Sequence, residues 1–404
     1  MNTRLKDMGT TSTIAQSGVK RKSWKLIACL LFAFGLLNTN LLAQGIKGKV
    51  TDSAGEPLPF ATIYIKALET GTSTNLDGEY EFALKAGKYE VYYQFLGYQT
   101  VLKEVEIKGS FVTLNVSLQE QVMQLDAVEI NAKAEDPAYT IIRKAIAKSK
   151  YHTLQLDQYS CQVYIKGGAQ LKDIPWLFRK KLIEEGVDTS TVYLTESVNE
   201  ITYQRPNTYK EKVISVRTIG SDGGSQNPMR LITASFYTPT VGEAISPLSP
   251  KSFAYYKFKF EGSFIDRGLE INKIRVQPRV RNENVFDGYI YIVQDVWSIH
   301  SLNLTSYSQG FKMNISQIYN PIQDQVWLPV NHQFKVSGSF LGFDIAYDYL
   351  ATVSNYKITL NPDLKADDLV VIDEKIEKVL AKKLEAEKSN PLKEKEIDAE
   401  IQKW

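Results

Sequence analysis

The sequence predicts a mainly β protein: an N-terminal seven-stranded β-sandwich, then an α+β domain with a large, mostly antiparallel sheet and two helices, then a charged C-terminal helix. Three observations carry this expectation. Tyr (23) and Phe (17) are abundant, a bias that suits strands. Short alternating runs bounded by turn residues fill 45–119 and return from Val192 to Ile358. Two segments between those regions follow helical spacing instead. With 404 residues and 43% hydrophobic content, the chain can build two or three sizeable cores.

Residues 1–43 read as an export signal. Lys20, Arg21, Lys22 and Lys25 precede the apolar run Leu26–Leu37, and "NTNLLAQG" offers cleavage between Ala43 and Gln44. The run is too short to cross a bilayer comfortably. "LIAC" spells a lipoprotein box ending at Cys29, but it opens the apolar run instead of closing it, so lipidation is not expected. Cleavage would leave 42 basic against 45 acidic residues, a net charge of −3, so no nucleic-acid role follows from the precursor's +2. Of two cysteines only Cys161 would remain, which excludes an intrachain disulfide and suits a small buried side chain.

In 45–119 the strands are "GIKGKVTD", "FATIYIKA", "GTSTN", "EYEFAL", "EVYYQFLGY", "TVLKEVEI" and "FVTLNVSL", with "SAGEPLP" as turn chemistry. "TSTNLDGEYEF" looks at first like part of a calcium loop. An EF-hand needs flanking helices and a closing bidentate Glu, and here the flanks are strands and Leu76 interrupts the oxygen series. Asn75, Asp77 and Gly78 are therefore expected to form a structural turn, with Tyr80 and Phe82 alternating inward.

These residues resemble the carboxypeptidase regulatory-like domain, a transthyretin-type sandwich. The likeness rests on Gly48-x-Val50-x-Asp52, the Gly55–Ala61 turn, Gly71–Thr74, the Asp77–Phe82 hairpin and Gly97-Tyr98. The resemblance implies a fold and an accessory module, and no activity.

Residues 120–135 read as a linker, in which "LDAVEI" resembles the extended segment that follows this domain in TonB-dependent receptors. The α+β domain spans 136–362. "DPAYTIIRKAIAKSK" predicts a helix with Asp136 as N-cap, Pro137 in the first turn and Ile141, Ile142, Ala145 and Ile146 on one face. "DIPWLFRKKLIEEG" predicts a second helix, from Asp173 to about Gly186. Its stripe of Trp176, Leu177, Phe178, Leu182 and Ile183 is expected in the core, with a bilayer surface as the other reading. Strands then run from Val192 to Ile358, broken by a glycine-rich loop at Gly220–Pro228. Segments such as "DPAYTIIRKAI", "INKIRVQPR" and "FDGYIYIVQDVWSIHSLNL" resemble a domain-of-unknown-function family of Bacteroidetes outer-membrane-associated proteins. Longer relatives continue into a region resembling an outer-membrane barrel. Residues 363–404 instead read as a charged helical tail, with Ile372, Ile376, Val379, Leu380 and Leu384 at helical spacing.

A zinc carboxypeptidase needs a His and a Glu on one short segment and a distant second His. None of His152, His300 and His332 is followed by a Glu within three residues, and H-E-x-x-H is absent. There is no G-x-S-x-G elbow, Cys161 sits in the strand-like "YSCQVYIKGG" with no His near it, and "GSDGGS" lacks the Lys-Ser/Thr of a phosphate loop. No catalytic, cofactor or metal residue is therefore assigned. The expectation is a non-catalytic exported protein, structural or interacting, in the periplasm or at the periplasmic side of the outer membrane. It would meet an envelope protein or outer-membrane component, and it would not bind nucleic acid. The alternative is a lipid- or glycan-binding module, because the alternation in "DGYIYIVQDVWSIHSLNL" resembles half-barrel lipoprotein carriers. A hydrolase is the third reading, and it would need a polar pocket holding His300 or His332.

Overall fold

The computed structural model of the protein describes residues 44–124, 135–187, 189, 192–219, 229–323, 326–364 and 382. The "LDAVEI" segment, the Gly220–Pro228 loop, the tail beyond residue 364 and everything before Gln44 fall outside these, apart from Lys382.

Eight strands build the sandwich: β1 (Gly45–Thr51), β2 (Thr62–Ile65), β3 (Thr70–Ser73), β4 (Glu79–Ala83), β5 (Gly87–Gln94), β6 (Val101–Ile107), β7 (Phe111–Thr113) and β8 (Val116–Ser117). One sheet runs β4-β1-β7 with β8 also on β1, and the other runs β3-β2-β5-β6. Between them lie Ile46, Val50, Ile63, Val91, Tyr93 and Ile107, all at most 1% exposed. The Tyr80 hydroxyl donates to Leu114 O (2.9 Å) and pairs with the Tyr93 hydroxyl (2.6 Å), so these phenols enter the core without losing their hydrogen bonds.

The structure corrects the predicted last strand, 111–118, which splits into β7 and β8, both parallel to β1. The side chain of Asn115 causes the break: its Oδ1 accepts from Lys49 N (2.9 Å) where a ladder bond would otherwise form. Gly48 is needed at the same place, because a Cβ there would lie 2.0 Å from Leu114 O. Asp52 closes the first turn by accepting from Ala54 N and Glu56 N, each at 2.9 Å. The buried Thr74 hydroxyl donates to Leu58 O (2.6 Å) and accepts from Ala61 N (2.8 Å).

At the hairpin, Asn75 Oδ1 accepts from Asp77 N and Glu79 N, both 2.9 Å, and Gly78 holds φ +75°. A Cβ on Gly78 would also stand 2.6 Å from Val50 O. Gly78→Ala therefore carries left-handed strain and a backbone clash, and is expected to cost about 2–3 kcal/mol. The measurement is the shift in urea midpoint against Gly55→Ala, where φ is +88° and no atom lies within 4 Å of a Cβ.

The second domain opens with α1 (Pro137–Leu154), four residues longer than predicted. Asp136 Oδ1 accepts from Ala138 N (2.9 Å) as the N-cap and from Phe260 N (3.0 Å), fastening the helix start to a distant strand. Ile142, Ala145 and Ile146 face the sheet and are buried. Ten antiparallel strands follow in the order β11-β10-β9-β20-β19-β18-β17-β16-β15-β14. They are β9 (Leu156–Asp173), β10 (Val192–Gln204), β11 (Thr208–Ile219), β14 (Tyr256–Asp266), β15 (Leu269–Pro278), β16 (Phe286–Val293), β17 (Ile299–Ser308), β18 (Phe311–Gln323), β19 (Val326–Phe340) and β20 (Phe343–Leu360). A two-strand ribbon, β12 (Thr240–Val241) and β13 (Ala244–Ile245), and the short helices α3 (Met229–Ile232) and α4 (Ser252–Tyr255) complete the layer around α1.

Of β9 only the stretch around Cys161 reads as strand-like, yet the whole strand lies inside the sheet, paired with β10 and β20. Cys161, Val163 and Ile165 point to the α1 side and are buried. Gln162, Tyr164 and Lys166 point to the other. Gly167 lies opposite Tyr349, whose ring would be 2.1 Å from a Cβ at that position.

The helix α2 (Trp176–Glu184) departs most from the prediction. It starts after Pro175 and not at Asp173, which ends β9 and accepts from Ile174 N (2.8 Å). Its apolar stripe is not core: Trp176 is 83% exposed, Leu177 66% and Ile183 53%. The helix sits beyond the end of β9, and none of its side chains is buried among the described residues. Its nearest support is the β19–β20 turn, with Phe178 on Phe343 (ring centroids 5.6 Å) and Pro175 beside Gly342.

Candidate functional site

The sandwich rests on the second domain through two contacts of different character. The first is a closed polar junction. The β14–β15 turn brings Asp266 and Arg267 together, Arg267 taking φ 49°. Asp266 Oδ2 accepts from Arg267 Nε (2.9 Å) and meets His300 Nε2 (3.1 Å). His300 Nδ1 in turn meets Ser301 Oγ (3.0 Å). Adjacent strand residues normally face opposite ways, but here the β16–β17 register shifts: Tyr291 pairs with Ser301 and Ile292 with Ile299. That bulge leaves His300 as the extra residue and turns both side chains toward Asp266.

From this cluster bonds cross to the sandwich. Arg267 Nη1 donates to Asn320 Oδ1 (3.1 Å), Asn320 Nδ2 to Gln94 Oε1 (3.1 Å) and Gln94 Nε2 back to Asn320 Oδ1 (3.3 Å). The backbones of Gln124 and Ser263 add a reciprocal pair at 2.8 and 3.0 Å. Burial works against the Asp266 charge, yet bonds from His300 and Thr100 and the Arg267 charge hold its carboxyl well below the usual range. Burial pushes His300 down, the Asp266 bond offsetting part of the effect, so its imidazole is neutral at pH 7. The tautomer that satisfies every partner has Nε2–H donating to Asp266 and Ser301 donating to Nδ1.

Ser301, His300 and Asp266 thus form a hydrogen-bonded row of the kind hydrolases use. Two features separate it from a working one. The cavity they line with Phe95, Gly97 and Thr100 measures about 20 Å³, room for roughly one water where small-molecule sites need about 300 Å³ or more. Ser301 itself is 2% exposed.

The other two histidines, His152 on α1 and His332 on β19, are also buried. His332 Nδ1 pairs with Gln317 Nε2 (2.9 Å), whose Oε1 accepts from Tyr319. Burial pushes His332 down to about 3, and burial with Lys148 nearby does the same to His152. Burial raises the Cys161 thiol to about 12, which leaves it unreactive at neutral pH. Among the described residues no three His, Cys, Asp or Glu side chains gather as a metal group.

The second contact leaves an open cleft of about 1020 Å³. One wall is the sandwich hairpin with Asn75, Leu76, Asp77 and Glu79, and the other is the outer side of β9, β10 and β20 with Tyr164, Lys166, Leu194 and Thr352. The walls meet where Ser73 Oγ reaches Thr352 Oγ1 (3.3 Å) and Asn355 N donates to Glu69 O (2.7 Å). Tyr164 donates to Glu196 (3.0 Å), which also pairs with Lys166 (3.5 Å), so the floor carries an ordered polar patch. Asn75, Asp77 and Gly78 therefore shape a cleft wall as well as a turn. Neither the cleft nor the junction was foreseen, because each joins segments far apart in the chain.

Fold and contacts define a class: a sandwich module locked onto a large antiparallel sheet, with one sealed junction and one open cleft. Residues 141–356 match the Family of unknown function (DUF5686), and the chain belongs to that family. Residues 46–130 match the CarboxypepD_reg-like domain. The TonB-dependent receptor P39 of Formosa agariphila is 32% identical over 117 residues, 29% of this chain and 11% of the receptor. For the TonB-dependent receptor SusC of Bacteroides thetaiotaomicron the identity is 33% over 106 residues, 26% and 10% of the two chains. Mouse carboxypeptidase Z is 40% identical over 73 residues, 18% of this chain and 11% of the enzyme. This chain thus spans only about a tenth of the length of these curated relatives. Among solved structures, a putative outer membrane lipoprotein-sorting protein domain from Vibrio parahaemolyticus aligns at 9% identity over 57% of this chain and 97% of its own, TM-score 0.24. A LolA superfamily protein from Nitrosomonas europaea aligns at 11% over 58% and 98%, TM-score 0.21. Likenesses of that size do not establish a common fold.

Proposed function

We propose that the chain is a non-catalytic, exported component of the cell envelope that works by contact at the periplasmic side of the outer membrane, with the open cleft as its contact surface. The observation that carries this reading is the contrast between its two polar sites. The hydrolase-like row is closed to substrates, while the cleft of about 1020 Å³ presents hydroxyls, carboxamides and both signs of charge. The regulatory-like module it shares with parts of TonB-dependent receptors supports the envelope setting, as does the export signal expected before Gln44. The buried side chains between α1 and the sheet, including Phe253, Phe258 and Phe286, fill the space that a carried lipid would occupy. The partner is therefore an envelope protein meeting the cleft.

A glycan is the second reading, favoured by Tyr164, Asn75, Asn115 and Thr352 on the cleft walls, whose groups suit sugar hydroxyls. The test places a photo-cross-linking residue at Leu76, on the cleft rim, or at Val280, equally exposed on the β15–β16 turn. In the producing bacterium, discrete protein adducts from position 76 and not from 280 are expected. Carbohydrate adducts would select the glycan reading, and identical patterns from both positions would overturn the cleft as the contact surface.

A further inference from the structure

On the α1 side of the large sheet the packed layer stops one strand short of the β11 edge. Asn199, Ile201 and Tyr203 on β10 point to that side and are buried. Their partners on β11, Val213, Glu211 and Tyr209, point the same way. Past the bulge at Ile214, Val216 does so as well, opposite Ser197. Yet Tyr209 is 41% exposed, Val213 55% and Val216 63%. The strip from Tyr209 to Val216 is about 23 Å long, at roughly 3.3 Å per strand residue.

The described part of the chain ends at the mouth of this strip. Asn361 N donates to Gln155 O and its Nδ2 to Leu154 O, both 2.9 Å, which ties the end of β20 to the C-terminal end of α1. Asp363 pairs with Arg205 (3.0 Å) in the β10–β11 turn, a few residues before Tyr209. Other segments outside the described residues do not suit the strip. Residues 220–228, "GSDGGSQNP", hold no large apolar side chain. Residues 125–134 leave and rejoin the fold beside β14, the opposite edge of the sheet, through the Gln124–Ser263 and Asp136–Phe260 bonds. Residues 365–404 do suit it. Ile372, Ile376, Val379, Leu380 and Leu384 repeat at helical spacing, and Leu369 falls on the same stripe. A helix from Leu369 to Leu384 would rise about 22 Å, at 1.5 Å per residue, which matches the strip. A helix of that size is marginal alone and gains its stability by packing such a face.

We propose that residues 369–384 form a helix that lies along β11 on the α1 side, covering Tyr209, Val213 and Val216 and completing the layer begun by α1. The place where the described chain ends and the length that follows select this occupant. The tail is thus a strap over the last strand of the sheet. It is independent of the cleft, which lies on the other side of β9 and β10.

The test is maleimide labelling of the full chain from Gln44, carrying Val213→Cys, Val216→Cys or, as an exposed reference on the β15–β16 turn, Val280→Cys. Positions 213 and 216 are expected to react at least about tenfold more slowly than 280, because labelling must wait for the strap to open. Adding Ile372→Asp/Ile376→Asp should bring their rates close to that of 280. Buried Cys161 should stay unlabelled throughout, which reports an intact fold. Mild oxidation of Val213→Cys/Ile376→Cys should give an intrachain disulfide, and this result decides alone if the Asp substitutions expose Cys161. Equal rates at 213 and 280 with the native tail, slow rates that the tail substitutions leave unchanged, or no intrachain disulfide would overturn the proposal. So would protection that vanishes on dilution, or a disulfide joining two chains, since the cover would then be a second copy.

Discussion

Between pH 7 and pH 5 the protein is expected to lose about 4 kcal/mol of stability through His152 and His332 alone. Both imidazoles are buried and pushed down to about 3. In the unfolded chain each takes up a proton below pH about 6.5. The unfolded state therefore binds more protons throughout the window from about 6.5 to about 3, and stability falls as pH falls through it. Each histidine contributes up to about 1.4 kcal/mol per pH unit, and His300, also pushed down by burial, adds in the same direction. Asp266 adds a further loss only below pH about 4, where the unfolded carboxyl protonates and the folded one does not. Urea midpoints measured at pH 7, 6 and 5 check this. His332→Gln should flatten the slope by roughly a third to a half, because His152 keeps its equal share and His300 adds in the same direction. A stability that stays level down to pH 5 would mean that these rings are not held neutral in the folded state.

Removing the carboxylate at the junction is expected to cost about 3–5 kcal/mol. Asp266→Ala leaves the Arg267 guanidinium, whose side chain is only 18% exposed, without its counter-charge. It also strips His300 and Thr100 of their acceptor. By contrast, breaking the exposed Lys108–Glu106 pair (2.8 Å) should cost no more than about 1 kcal/mol. The sign carries information about role. Residues kept for catalysis commonly strain the fold, so replacing them tends to stabilise it. A destabilised Asp266→Ala marks the row as a lock between the modules, and a stabilised one would mark it as a site.

Much of the architecture was legible because the signals are local. The Asn75–Gly78 turn, the Asp52 turn and the Asp136–Pro137 helix start each act within a few residues, and the structure places bonds at each. The alternation of β14 to β20 was equally readable, since one face of those strands is buried. What was not legible depends on distance. β9 was legible only in part: the stretch around Cys161 reads as strand-like, but Gly167-Gly168 weakens the signal, and only Tyr349 on another strand gives Gly167 its reason. The split between β7 and β8 depends on Asn115 meeting Lys49, 66 positions away. The α2 stripe had the spacing of a core helix, but spacing does not reveal that the sheet ends beneath it. The junction is the extreme case: Gln94 and Asn320 lie 226 positions apart, and a search for histidines with a neighbouring Glu passes over His300 and Asp266.

In the proposed function Ser301, His300 and Asp266 form a structural joint and the cleft is the working surface. Intact-protein mass spectrometry after incubation with a fluorophosphonate probe tests that division most directly. The prediction is no adduct on the native chain, because Ser301 is sealed in a cavity of about 20 Å³ that admits no probe. A single adduct mapped to Ser301 and abolished by His300→Gln would contradict it.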